Sequence, residues 1–175
     1  MIVSFDKSKK QFMVKYNVSD DKFIIDKLNV KWNKETNTFT LKGQRVIKDQ
    51  NNSTLMTSMY NENGDLEGEM IEYYDDPKSR QNIVKTTVNW VNNKKEGIEI
   101  SKYPSGNFKS QGRWKEGMRD GVWYTFFDSK HNDGKPFEAT IQSYKMGVKH
   151  GKFIEWYEDT GKIISEEVYK NGIPE

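Results

Sequence analysis

Apolar residues alternate with polar ones in the first third of the chain. Phe12, Val14, Tyr16 and Val18 form one such series, Asp26, Leu28, Val30 and Trp32 a second, and Phe39 and Leu41 a third. A period of two places alternate side chains on opposite faces of a strand, so these segments predict β-strands. Beyond residue 60 the pattern changes to short β-rich runs punctuated by glycine. Trp90 is followed by Gly97, Trp114 by Gly121 and Tyr144 by Gly151, each time seven residues later. Three residues after the aromatic stand Asn93, Gly117, Gly147 and, after Tyr169, Gly172. Glycine and asparagine are the residues that best tolerate a left-handed backbone. The stretch YNENGDLEG, Tyr60 to Gly68, is the same element with one extra residue.

Counting forward from Gly68, Gly97, Gly121 and Gly151 finds Ile71, Ile100, Tyr124 and Ile154 three residues on. Tyr74, Tyr103, Phe127 and Tyr157 stand six residues on. The repeating unit is therefore a glycine, a short run ending in an aromatic, a turn, and a second run ending in the anchor aromatic. A glycine turn then leads back. PSGN (104–107) and DTGK (159–162) supply the turns between the two runs, with glycine where a hairpin needs positive φ. Gly43 precedes Tyr60 by 17 residues, the spacing from Gly97 to Trp114, so 43–67 reads as a degenerate unit.

Repeats at this period imply stacked supersecondary units with atypical ends. The expected architecture is all-β: a single-layer curved antiparallel sheet of repeated β-hairpins, a meander. An N-terminal β cap covers 1–42 and one continuous array of hairpin repeats covers 43–175. The structural repeat positions are Gly68, Gly97, Gly121 and Gly151 with Trp90, Trp114, Tyr144 and Tyr169. Two insertions, DDPKSRQN (75–82) and DSKHNDGKP (128–136), fall in the same turn of alternate hairpins and are expected to project from one sheet edge.

Composition agrees with a thin structure. Hydrophobic residues make up 34% of the 175 and aromatics 13%, a mixture in which a few large rings supply most burial. Basic and acidic residues number 28 and 26, interspersed, for a net charge of +2, which disfavours nucleic acid as a partner because phosphate binding needs a coherent basic face. Cysteine is absent, which removes disulfides and thiolate metal sites. No stretch approaches the roughly 20 apolar residues of a membrane helix, and the chain is expected to be cytoplasmic.

These residues carry a resemblance. The stretch GVWYTFFD, followed by YKMGVKHGKFIEWYEDTGKIISEEVYKNG, resembles the variant MORN repeats of bacterial YwqK-type proteins, over residues 60–175. The resemblance implies a hairpin array and an antitoxin or immunity-like role; MORN repeats elsewhere act as scaffolds or are linked to lipids.

Candidate chemistry is sparse. His150 occupies the slot of Glu67, Glu96 and Asp120, and His131 lies in a polar insertion. Neither has partners at a spacing that makes a catalytic triad or metal site. Acid pairs such as Asp75–Asp76 and Glu166–Glu167 read as solvated charges, and no glycine opens a phosphate-binding helix. A non-catalytic protein without cofactor or metal is expected. Lys115, Lys145 and Lys170, each following an anchor, would form a row suited to anionic lipid head groups. Rings on both faces of the last repeats leave an aromatic strip, and such strips mark binding surfaces. The expected partner-binding residues are Trp123, Tyr124, Phe126 and Trp156, flanked by Lys130 and His131. The expected function is steric masking of a partner toxin; the alternative is a lipid-surface or assembly scaffold.

Overall fold

The computed structural model describes residues 2–6, 8–9, 11–19, 22–75, 82–130 and 136–175. These hold no helix. They form one open antiparallel sheet whose strands pair with their sequence neighbours, except that Gly121–Lys130 pairs with Phe108–Lys115 past the two-residue strand Met118–Arg119. Its N-terminal strands are β1 (Ile2–Asp6), β2 (Gln11–Ser19), β3 (Lys22–Asn33), β4 (Thr38–Asp49), β5 (Thr54–Tyr60) and β6 (Gly68–Tyr73). There follow β7 (Val84–Val91), β8 (Lys94–Lys102), β9 (Phe108–Lys115), β10 (Met118–Arg119), β11 (Gly121–Lys130) and β12 (Pro136–Lys145). The last are β13 (Val148–Trp156), β14 (Ile163–Lys170) and β15 (Ile173–Pro174). The all-β hairpin meander expected from the spacing is the observed fold.

Two compact units divide the chain. The first is Met1–Val84 with Trp90–Lys94, the second Lys85–Asn89 with Lys95–Glu175. Residues 42 and 43, where cap and repeats were expected to meet, are consecutive within β4. Most of the insertions, including His131, lies outside the described residues; of Lys130 only the backbone, in β11, is described.

In the first unit, β3 and β4 pair Val30 with Leu41 and Trp32 with Phe39. Phe5, Phe12, Phe39 and Trp32 form a chain of ring contacts with centroids 4.6–5.1 Å apart. Val14 is buried opposite Asp26, which is also buried. Arg45 on β4 donates from Nε to both Asp26 oxygens, at 3.0 and 3.2 Å, and pairs with Oδ2 through Nη2. This pairing holds the guanidinium pKa above its ordinary value, because a proton there is stabilised by the carboxylate it faces. The degenerate repeat is genuine in register: Gly43 lies directly opposite Tyr60.

In the second unit the same pairing recurs. Gly97 faces Trp114, Gly121 faces Tyr144 and Gly151 faces Tyr169. These glycines have φ of +79°, +85° and +103°, a region that costs other L-residues about 1–2 kcal/mol. They are not turn residues, as the spacing implied, but strand residues lying across from an aromatic ring. The turns themselves fall at Glu116–Gly117, Met146–Gly147 and Asn171–Gly172, with φ of 48–86° at both central positions. Positive φ at two consecutive residues is the type I′ signature, whose twist suits a two-residue hairpin. Asn92–Asn93 in the first unit is the same turn.

Each turn docks on the one before it. The amide of the second turn residue donates to the carbonyl of the residue two before the repeat glycine: Gly117 to Lys95, Gly147 to Arg119 and Gly172 to Lys149, at 2.7–2.9 Å. The amide of the first turn residue donates to the side chain just before that glycine. Glu96 accepts from Glu116 at 2.8 Å, Asp120 from Met146 at 3.1 Å, and His150 through Nδ1 from Asn171 at 3.3 Å. Glu67 accepts from Asn92 in the first unit. The shared slot of these four residues is thus an acceptor position. His150 is its weakest occupant, since a carboxylate makes the shorter, charge-assisted bond. His150→Glu should stabilise the chain by about 0.5–1 kcal/mol, read as a higher urea midpoint with unchanged slope. A lower midpoint would remove the acceptor role from this slot.

Candidate functional site

Strand register assigns every side chain of the second unit to one of two faces. Glu99, Gly112, Trp123, Gln142, Phe153 and Glu167 are cross-strand neighbours in one row. The anchors Trp114, Tyr144 and Tyr169 stand on the same face, two positions away along their strands. Ile100, Gln111, Tyr124, Ile141, Ile154 and Glu166 form the corresponding row of the opposite face.

This parity separates the residues expected to make one aromatic strip. Trp123 is on the anchor face, whereas Tyr124 and Trp156 belong to the opposite face, an even number of positions from Ile154 or its cross-strand row. A register shift falls between Thr125 and Phe126, which stacks on Tyr124 at 6.3 Å with planes 14° apart and also lines the groove over Trp123. Trp123 is also 4% exposed, so it presents no surface to a partner. Its Nε1 donates to the Arg113 carbonyl at 3.1 Å, and its ring meets Trp114 edge-on at 5.1 Å. A bare backbone makes room for it: a Cβ placed on Gly112 would lie 2.0 Å from Trp123 Cδ2.

Cations complete the anchor face. Two residues before Gly97, Gly121 and Gly151 stand Lys95, Arg119 and Lys149, whereas Leu66 holds that place before Gly68. Arg119 lies 4.5 Å from the Trp123 ring centre and 5.4 Å from that of Tyr144. Lys149 lies 4.7 Å from Phe153 and 4.3 Å from Tyr169. Lys95 lies 4.8 Å from Trp114, and where the others have a second ring it pairs with the Glu99 carboxylate. Each of these three repeats thus seats a positive charge on ring faces, an attraction of about 0.5–2 kcal/mol. Sequence reasoning singled out the lysines after the anchors and missed these. Their shared offset of minus two from Gly97, Gly121 and Gly151 is the signal that reveals them.

On this face a groove of about 490 Å³ opens over Trp123. Tyr103, Lys109, Arg119, Phe127 and Gln142 line it with Trp123. The Tyr103 hydroxyl donates to the Phe126 carbonyl at 2.8 Å, and Thr125 and Thr140 hydroxyls share a bond at 2.8 Å. Glu99 receives the Trp114 Nε1–H at 3.1 Å as well as Lys95. Among the described residues no three His, Asp or Glu side chains converge to hold a metal.

The opposite face is different in character. Besides Tyr124 and Trp156, both half-buried, it carries Ile98, Val122 and Val168, which are 50%, 42% and 36% exposed. Ile141 and Ile154 sit between them, half-buried. Lys115, Lys145 and Lys170 are exposed, and none makes an ion pair among the described residues. The chain matches no protein-family model and no curated protein.

Proposed function

We propose that this chain is a non-catalytic protein-binding repeat module. The observation that carries the reading is the face of the second unit opposite the anchors, where Ile98, Val122 and Val168 are exposed on the side of Tyr124 and Trp156, interspersed with Arg113 and the Lys152–Glu166 pair. An exposed apolar patch on a soluble sheet favours association, since covering it removes that area from water at about 25 cal/mol per Å². The resemblance of residues 60–175 to variant MORN repeats supports a finer reading, an antitoxin or immunity protein that covers a toxin's active surface. The occupant is then another protein, held by area and shape, and the side chains of the chain perform no chemistry on it.

The test begins with a high-salt pull-down from host lysate and co-expression of whatever remains bound. A stoichiometric protein that is toxic alone and harmless with this chain is the expected result. Ile98→Asp with Val122→Asp should weaken that complex at least about a hundredfold while leaving thermal unfolding unchanged, because both positions are exposed. A complex of undiminished affinity would remove this face from the interface. Lys115, Lys145 and Lys170, exposed and without an ion pair among the described residues, favour a second reading, an anionic lipid surface. That reading expects vesicle binding that requires phosphatidylserine and falls as salt rises.

A further inference from the structure

The groove on the anchor face is not used by the reading above, and its chemistry points elsewhere. Arg119 is held between the rings of Trp123 and Tyr144. One amino group, Nη1, reaches the neutral Gln142 Oε1 and the Tyr144 hydroxyl, each at 3.3 Å. No carboxylate pairs with it among the described residues, and its Nε and Nη2 make no hydrogen bond there. Lys109 on the same groove lies 5.6 Å from the Tyr103 ring and is likewise without an ion pair among the described residues. The lining carboxylate, Glu99, is already occupied by Lys95 and Trp114 Nε1. The groove therefore holds two uncompensated positive charges beside aromatic walls.

We propose that this groove binds a carboxylate carried on an apolar body. Arg119 presents a planar fork with free N–H groups, the geometry that pairs with a carboxylate through two parallel bonds. Ring contacts on two sides keep that fork in place before a ligand arrives, which lowers the ordering cost of binding. Tyr103 and Phe127 wall the remainder, with Ser110 and Thr125 hydroxyls beneath, so the apolar part of the ligand is covered while its charged end meets Arg119. The volume falls within the range of pockets that enclose small organic ligands. Lys149, although also seated on rings, is exposed and does not line this groove.

The shared chemistry is an aryl or alkyl carboxylate, free or at the C-terminus of a peptide. The first comparison uses the unaltered protein: 3-phenylpropionate against its neutral amide, followed by chemical-shift titration. The acid should bind at least about tenfold more tightly, and the difference should shrink as salt rises. Equal binding of acid and amide, or no binding of the acid at about 10 mM, overturns the proposal. Arg119→Gln should abolish the acid's advantage, with Arg119→Lys intermediate because it keeps charge and loses the fork. If folded Arg119→Gln protein retains the full preference, the assignment to Arg119 is overturned. Acetyl-Gly-Gly-Phe with a free carboxylate separates the sources. Binding about tenfold tighter than 3-phenylpropionate assigns the groove to peptide C-termini, and equal or weaker binding assigns it to small carboxylates. The Ile98→Asp, Val122→Asp protein should bind 3-phenylpropionate normally, so loss of partner binding and loss of groove binding are read separately.

Discussion

Trp123→Ala should cost the second unit about 3–5 kcal/mol, the range for removing a buried large aromatic without collapse of the site. The residue is 4% exposed and is touched on three sides, by Trp114, Arg119 and the bare backbone of Gly112. The loss combines the apolar area of the ring, one cation–ring contact and the Nε1 hydrogen bond. Gly112→Ala attacks the same contact from the other side. Its new methyl would meet the indole at 2.0 Å, so ring or strand must shift, at about 1–3 kcal/mol. The two changes should not add. In Gly112→Ala, Trp123→Ala the methyl occupies part of the space the indole vacated, and the double variant should be more stable than the sum of the singles implies by at least about 1 kcal/mol. Urea unfolding followed by far-ultraviolet circular dichroism measures all three. Strict additivity would show that the ring does not rest on Gly112.

Asp26→Ala should be comparably severe in the first unit, at about 3–5 kcal/mol. Asp26 is almost fully buried, and its partner Arg45 has only 26% of its side chain exposed. Removing the carboxylate strands a guanidinium among Val14, Tyr60 and neighbouring strands. The pair itself is not the source of that stability, because both ions lost water on burial. Asp26→Leu with Arg45→Met keeps the volume, removes both charges and should be neutral or stabilising by up to about 4 kcal/mol. An Asp26→Ala loss under about 1 kcal/mol would mean that water reaches Arg45 in the folded chain. A double variant as unstable as the single would give the ion pair a specific structural role.

The hairpin architecture was legible because turn chemistry is local. A residue pair with positive φ selects glycine or asparagine wherever it occurs, so Gly117, Gly147, Gly172 and Asn93 report their turns independently of packing. The 17-residue spacing from Gly43 to Tyr60 likewise survived intact as a cross-strand pair, since hairpin register follows from counting residues around a turn. In the sequence His150 only shares the slot of Glu67, Glu96 and Asp120, yet in the fold its ring nitrogen accepts an amide from the next turn. That contact joins positions 21 residues apart, and only stacked hairpins bring them together.

The candidate site was less legible, because spacing alone does not say what lies across the sheet. Trp123 and Tyr124 are adjacent in one strand and so face opposite ways, while Trp123 and Phe153, thirty apart, share a row through Gln142. An aromatic-rich run such as VWYTFF therefore looks like one strip when written out and divides into two faces when folded. By itself, the sequence determined the all-β class and the positions of the two-residue turns, properties of backbone dihedrals and local counting. Tertiary structure alone decided that Trp123 is buried over Gly112, that Arg119 and Lys149 lie on rings, and which charges remain uncompensated. Those outcomes depend on distances between strands, and a side chain's exposure is set by what other strands place above it.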